Sequence, residues 1–249
     1  MRMTRNHFYI QARLCSQRLP GKVLKKMQDK TILEIILERL LFIKNKNEIF
    51  ILTGDDDKNK EIIEEAKRLG VECFSGSENN VLDRFVQASN KFESEIITRI
   101  TADCPLIDFN IIEKGLKIFD SKKMDILSNN KIKTYPHGFD FEIFKKSALD
   151  ESWKDNFKRF SSKRIFLDTF IPPTKYMLEE SKFVNHILKN DLDLSHIRIT
   201  LDYEEDFRVI KNIFDNLYPK NHKFALKEIL EYLKKNPKIV EINKKYLRS

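Results

Sequence analysis

Two periods of apolar residues alternate along the chain. His7-Phe8-Tyr9-Ile10-Gln11 is a short continuous run of the kind carried by a strand buried on both faces. A turn-rich stretch over 12–30 separates it from a helical pattern with Ile32, Ile36, Leu40 and Ile43 on one face. Thr31 and Glu34 have the Thr-x-x-Glu spacing of a capping box, which marks where that helix starts. A second strand is expected over 48–53. The helix after it turns Ile62, Ile63, Ala66 and Leu69 inward, with Gly70 placed to end it in the left-handed conformation.

The rhythm continues with a short strand at Cys73-Phe74, a helix over 81–92, and a strand at 96–100 that runs into Asp103-Cys104-Pro105. A helix over 109–119 and a strand over 125–128 follow. Strands alternating with helices predict an α/β fold with a mostly parallel, doubly wound sheet. Beyond Lys131 the alternation weakens: a strand over 139–144, a helix over 156–170, and a break at Pro172-Pro173. A strand is expected at Ile197-Arg198-Ile199-Thr200-Leu201, and helices at 204–217 and 225–235. We expect one domain over 1–249, with 131–195 as an irregular subdomain that contacts an acceptor or a second copy.

Composition narrows the class without choosing the chemistry. With 41% hydrophobic and 34% charged residues over 249 positions, the chain has enough apolar material for a large core. The net charge of +8 arises from 46 Lys and Arg against 38 Asp and Glu. These bases are spread along the chain and form no aromatic-interleaved cluster, so a nucleic-acid-binding module has only the net charge in its favour. A triphosphate or an acidic sugar suits the same charge. Cys15, Cys73 and Cys104 have no Cys-x-x-Cys spacing and cannot all pair, which argues for a reducing cytoplasm. The start, Met1 to His7, is too short and polar for a signal peptide, and no apolar run approaches the roughly 18 residues of a membrane span, so no membrane insertion is expected.

Ligands of open α/β sheets sit beyond the carboxyl ends of the strands, so the segments after Gln11, Thr53, Ile100 and Leu201 should face the site. The first, Ala12-Arg13-Leu14-Cys15-Ser16-Gln17-Arg18-Leu19-Pro20-Gly21-Lys22, holds three cations and a Pro-Gly turn. Such a loop can wrap phosphates with Arg forks, a Lys point charge and backbone amides. A solvated basic loop is an equal reading of the same composition. The P-loop pattern is absent because Val23 follows Lys22, and no Gly-x-Gly-x-x-Gly follows the first strand. Asp103, just past a strand end, suits an Asx turn into Pro105. Asp202 suits the N-cap of the next helix, with Glu205 as its box partner. Cys104 has no base within its motif and reads as packing. Neither His137 nor His196 has zinc-site spacing.

Taken in order, several segments resemble the sugar cytidylyltransferase family. They are Ile10-Gln11-Ala12-Arg13 with Ser16-Gln17-Arg18-Leu19-Pro20-Gly21-Lys22, Gly76-Ser77-Glu78, Val81-Leu82-Asp83-Arg84, Arg99 to Asp108, and Leu194 to Asp202. The resemblance is to the spore-coat polysaccharide biosynthesis type and, more distantly, to CMP-octulosonate and CMP-sialate synthetases. It implies a nucleotide-diphospho-sugar-transferase-like, Rossmann-like fold and, commonly, a homodimer. By resemblance, Arg13, Arg18 and Lys22 neutralise phosphates, and Ala12, Leu14, Cys15, Ser16, Ser77 and Thr101 approach the nucleotide. Asp103 and Asp202 hold Mg²⁺, with Arg13, Lys22 and Asp103 as the catalytic set. The same resemblance puts His137, Asp140 and Glu142 near the sugar. The chain departs from the family pattern at Cys15 and Ala102, where Gly is usual, and at His137, where an acid is usual. Phe160-Ser161-Ser162-Lys163-Arg164 stands where relatives tend to carry an acid and a histidine.

The reaction implied is transfer of CMP from CTP to a sugar, with an acidic sugar of surface polysaccharide synthesis as acceptor. Arg, Lys, Asp and Mg²⁺ suffice for it, because positioning and charge neutralisation carry such transfers. The rivals are a glycosyltransferase using a nucleotide-sugar donor, which lacks an obvious Asp-x-Asp pair at Asp103, and a degenerate relative that only binds.

Overall fold

The computed structural model describes residues 5–44 and 48–247; residues 1–4 of the polar start lie outside the described residues. Strand β1 (Asn6–Gln11) leads through a long loop to a small ribbon, β2 (Lys26–Met27) and β3 (Lys30–Thr31), and to helix α1 (Ile32–Leu41). Then come β4 (Glu48–Thr53), α2 (Asp56–Arg68), β5 (Glu72–Ser75), α3 (Val81–Lys91), β6 (Ile96–Thr101), α4 (Phe109–Ser121) and β7 (Ile126–Ser128). The later part holds β8 (Phe141–Lys145), α5 (Lys146–Phe157), α6 (Lys163–Asp168), α7 (Lys175–Glu179) and β9 (Asn185–Ile187). It closes with α8 (Glu204–Leu217), α9 (Leu226–Lys235) and α10 (Lys238–Glu241).

Alternate residues of the central strands feed two cores, which is why their apolar runs are unbroken. Phe8 and Ile10 of β1 and Ile51 of β4 face a core shared with α1, α2, α4, α8 and α9. Tyr9, Phe50 and Leu52 face a second one shared with α3, α5, α6 and α7. Thr31 caps α1, its Oγ1 accepting from Glu34 N at 3.1 Å, but Glu34 turns its carboxylate to Lys30 rather than back to the cap. Gly70 ends the next helix with φ of 70°.

The sheet has seven strands in the order β5-β4-β1-β6-β8-β7-β9. Pairing is parallel except on both sides of β8, which runs antiparallel to β6 and β7. That reversal positions the site. It sets the start of β8 beside the carboxyl end of β6, with Ile100 opposite Phe141 and Arg99 opposite Glu142. Two strands from 131–195, β8 and β9, therefore belong to the main sheet.

Two expected elements take another form. Residues 197–201 form no sheet strand, because their backbone groups pair with two loops. His137 N donates to Ile197 O at 2.9 Å, Ile199 N to His137 O at 2.8 Å, and Leu201 N to Asp103 O at 2.8 Å. Gly138 permits this crossing: its φ is 108°, and a Cβ there would meet the Ile199 carbonyl oxygen at 2.4 Å. The helix expected over 156–170 is divided, since α5 ends at Phe157 and Ser162 caps α6 by accepting from Ile165 N. Turning the chain there folds Phe166 back onto Trp153 and Phe157, whose rings stack 5.0 Å apart, with Phe160 against the edge of Phe166.

Candidate active site

The loop after β1 is held from beneath by a buried amide. Asn59, in α2 and fully buried, accepts from Leu14 N at 2.9 Å and donates to Glu78 Oε2 at 3.0 Å. Leu14 O in turn takes the amides of Ser16 at 2.7 Å and Gly21 at 3.1 Å, closing the loop on itself. Gly21, at φ of 66°, turns the chain so that Lys22 points inward.

Lys22 is the pivot. Its ammonium donates to Leu201 O at 2.7 Å, Asp202 Oδ1 at 3.0 Å and Asp103 Oδ2 at 3.3 Å. Three donors meet three acceptors, so one buried cation ties the first loop to the end of β6 and to the crossing segment. Arg18 adds a 2.8 Å ion pair to Asp202, and Arg198 reaches the other Asp202 oxygen at 3.2 Å. Burial alone would raise the Asp202 pKa, but Lys22, Arg18 and Arg198 together hold it below the usual carboxylate value. Asp202 is not the helix cap. Asp206 accepts from the amides of Asp202 and Tyr203, both at 3.0 Å, which frees the Asp202 carboxylate for the site.

Two cavities meet here. The larger, about 650 Å³, has the loop's Ala12, Arg13, Cys15, Ser16, Arg18 and Lys22 on one side and Glu78, Val81, Arg84 and Phe170 on another. The smaller chamber, about 510 Å³, includes Asn130, Lys133, His137, Asp140, Glu142 and Thr200, with Tyr203, Lys245 and Tyr246 on a further wall. Arg18, Arg99, Thr101, Asp103 and Asp202 border both. The Lys22 cluster thus stands where the contents of the two spaces would touch.

Most of the expected residues come together, with different duties. Leu14 and Ser77 are not among the cleft-lining residues. Leu14 anchors the loop, while Ser77 Oγ donates to Leu167 O at 3.0 Å. Glu142, 3% exposed, accepts from Arg99 at 2.7 Å and Asn130 at 2.8 Å, so both its oxygens are engaged within the wall. Burial raises the Asp140 pKa to about 6, with Glu142 and Asp103 pushing the same way and Lys133 and Arg99 against. Burial likewise pushes the Cys104 thiol well above its usual value, which agrees with packing rather than nucleophilic chemistry. Among the described residues no three His, Cys, Asp or Glu side chains gather into a metal cage. The carboxylates of Asp103 and Asp202, which share the Lys22 ammonium, are hard oxygen donors that would suit a divalent cation of the Mg²⁺ kind.

Sequence reasoning gave no site role to Asn130, Lys133, Tyr203, Lys245 and Tyr246 in the chamber or Phe170 in the cleft, nor to Arg84, Arg99 and Arg198, although these three lie in the segments that carry the resemblance. Arg99 carried a signal, a charge inside an apolar strand. The C-terminal residues carried none, because a buried Asn243 brings them in by donating to Arg198 O at 3.0 Å and Asp206 Oδ1 at 2.8 Å.

Residues 8–235 match the family model described as cytidylyltransferase. The chain is similar to an uncharacterized protein of Methanocaldococcus jannaschii, 32% identical over 244 residues that cover 94% of this chain and 92% of the relative. It is also similar to the spore coat polysaccharide biosynthesis protein SpsF of Bacillus subtilis, 24% identical over 239 residues, 92% of this chain and 94% of that one. Among solved structures, a cytidylyltransferase from Leptospira borgpetersenii superposes with a TM-score of 0.84 at 31% identity, covering 96% of this chain and 97% of the other.

Proposed function

Because the chain belongs to the cytidylyltransferase family, we propose that it transfers the cytidylyl group of CTP to a sugar hydroxyl, releasing pyrophosphate and forming a CMP-sugar. The observation that carries this reading is the buried Lys22 ammonium, held by Asp103, Asp202 and Leu201 O where the two cavities meet. The larger cleft takes the nucleotide and the chamber takes the sugar. An acceptor oxygen bonds to the α-phosphorus, the bond from that phosphorus to the β-phosphate oxygen breaks, and the electron pair leaves with pyrophosphate. The hydroxyl proton is lost to water at the open chamber.

Arg13, Arg18 and Lys22 orient the phosphates and balance the charge that moves onto the leaving group, a contribution made by position rather than by covalent chemistry. Asp103 and Asp202 would hold Mg²⁺, which supplies further charge neutralisation when bound. Lys133 on the chamber wall supports an acidic sugar as acceptor. The name of the Bacillus relative supports a place in surface polysaccharide synthesis. A homodimer acting in the cytoplasm completes the proposal.

Thermal unfolding with Mg²⁺ and each of CTP, UTP, ATP and GTP, followed by pyrophosphate release with a panel of sugar acids, tests it. Selective stabilisation by CTP and acceptor-dependent pyrophosphate release are expected. Equal indifference to all four nucleotides would sink the reading.

A further inference from the structure

The segment that departs from the family pattern at Phe160–Arg164 continues into an aromatic ring in an unusual place. Phe170 is 62% exposed, yet it lines the large cleft, whose other walls include Arg13, Arg18, Lys22 and Asp103. Isolated exposed apolar side chains are ordinary on protein surfaces. This one is built into position. On its N-terminal side, Leu167 O accepts from Ser77 Oγ at 3.0 Å and Phe166 O from Asn80 Nδ2 at 2.8 Å; on its C-terminal side, Ile171 O accepts from Leu82 N at 3.0 Å. Phe166 and Ile171 are themselves buried, at 0% and 8% exposure. The chain is therefore fastened on both sides of Phe170 to the loop at 77–82, which is the wall of the same cleft.

The cations of the first loop suit phosphates, and the two carboxylates border the chamber. Glu78, Val81, Arg84 and Phe170 line the part of the cleft that the chamber does not share. An apolar ring and a valine beside the Glu78 carboxylate suit a flat group with apolar faces and a polar edge, while the buried Arg84 guanidinium is spent on Ser77 O and Glu78 O and holds that wall in place. We propose that Phe170 stacks on the base of the bound nucleotide, giving affinity that is tolerant of base identity. This rests on the reading that the cleft binds CTP. Stacking on a ring serves any base because each has a π-face, so the fastened segment contributes grip, and the choice of cytosine falls to other groups.

The test uses the full chain with Mg²⁺ and calorimetric titration of CTP and UTP into the wild type, Phe170→Ala and Phe170→Trp. Phe170→Ala should weaken both nucleotides by a common factor of roughly 5 to 150, the range for loss of one base–aromatic stack. Phe170→Trp should keep the wild-type affinity, and its added fluorescence, read against the wild type with its single Trp153, should change on CTP binding. Undiminished CTP affinity in Phe170→Ala overturns the inference, as does an equal loss in Phe170→Ala and Phe170→Trp. So does a Phe170→Ala protein that binds CTP normally but changes its sedimentation, which would assign the ring to a subunit contact. Wild-type protein that binds no CTP overturns this inference together with the function it rests on, whereas normal binding insensitive to Phe170 overturns this inference alone.

Discussion

Replacing Lys22 with methionine keeps the length of the side chain and removes a cation shared by Asp103 and Asp202. Three acceptors lose their donor: Leu201 O at 2.7 Å, Asp202 Oδ1 at 3.0 Å and Asp103 Oδ2 at 3.3 Å. Removing one partner of a fully buried ion pair costs about 3–5 kcal/mol, because the other charge stays buried and unpaired. Here the cost is smaller. Asp202 keeps Arg18 and Arg198, and the Asp103 side chain keeps 31% of its surface in water. We therefore expect about 2–3 kcal/mol, which for a chain of this size lowers Tm by roughly 4–12 °C. Differential scanning calorimetry with and without Mg²⁺ measures both effects. Lys22→Met should regain stability on adding Mg²⁺ to a greater extent than the wild type, whose ammonium already balances the two carboxylates, and it should lose the stabilisation by CTP. Adding Asp103→Asn should recover part of the loss, with non-additivity above about 0.5 kcal/mol as the mark of direct coupling. A Tm within about 1 °C of wild type, joined to the same Mg²⁺ response, would refute the assignment of Lys22 as the pivot.

Asp140 carries the opposite energetic sign. A carboxyl raised from its unfolded value to about 6 in the fold costs stability when ionised, and the penalty fades as pH falls from about 6 to below 4. Asp140→Asn should therefore be more stable than wild type by about 1–2 kcal/mol at pH 8 in EDTA, after allowance for solvent at the open chamber, and no more stable near pH 4. Denaturant melts at the two pH values check this; equal gains at both would contradict it. Tyr246 stacks on Tyr203 with ring centroids 3.7 Å apart, in a tail beyond the family-matched residues 8–235. Tyr246→Ala should raise KM for the sugar acceptor by roughly 2- to 10-fold and leave CTP affinity unchanged in calorimetry, whereas a loss of CTP affinity would place the tail on the wrong cavity.

The central layers were legible because local pattern and tertiary role agree there. The strand read over 48–53 is β4 as observed, the helix read over 204–217 is α8, and Thr31 caps α1 as its motif indicates. Residues 197–201 have the same alternating composition as a strand but satisfy their backbone groups against the loops at His137 and Asp103, a choice that depends on what lies beside them. The helix reading over 156–170 fails for a related reason: four aromatic rings converge only if the chain turns after Phe157. Within the site, the cations of the first loop and Asp103 were visible as charges at strand ends. Asp202 carried a cap reading from its spacing and a metal reading by resemblance, and the structure removes the cap through Asp206, a buried side chain that accepts from the Asp202 and Tyr203 amides. Phe170 and Tyr246 had no local signal at all, because Phe170 takes its place from hydrogen bonds made by its neighbours and Tyr246 from its stack on Tyr203 and its bond to Glu205, all of them contacts distant in sequence. The charges of the Lys22 cluster are thus written where the fold must leave strand ends open, while the walls of the cleft and the chamber are set by how later segments dock. Variation in those docked segments can change what is bound without disturbing the Lys22 cluster.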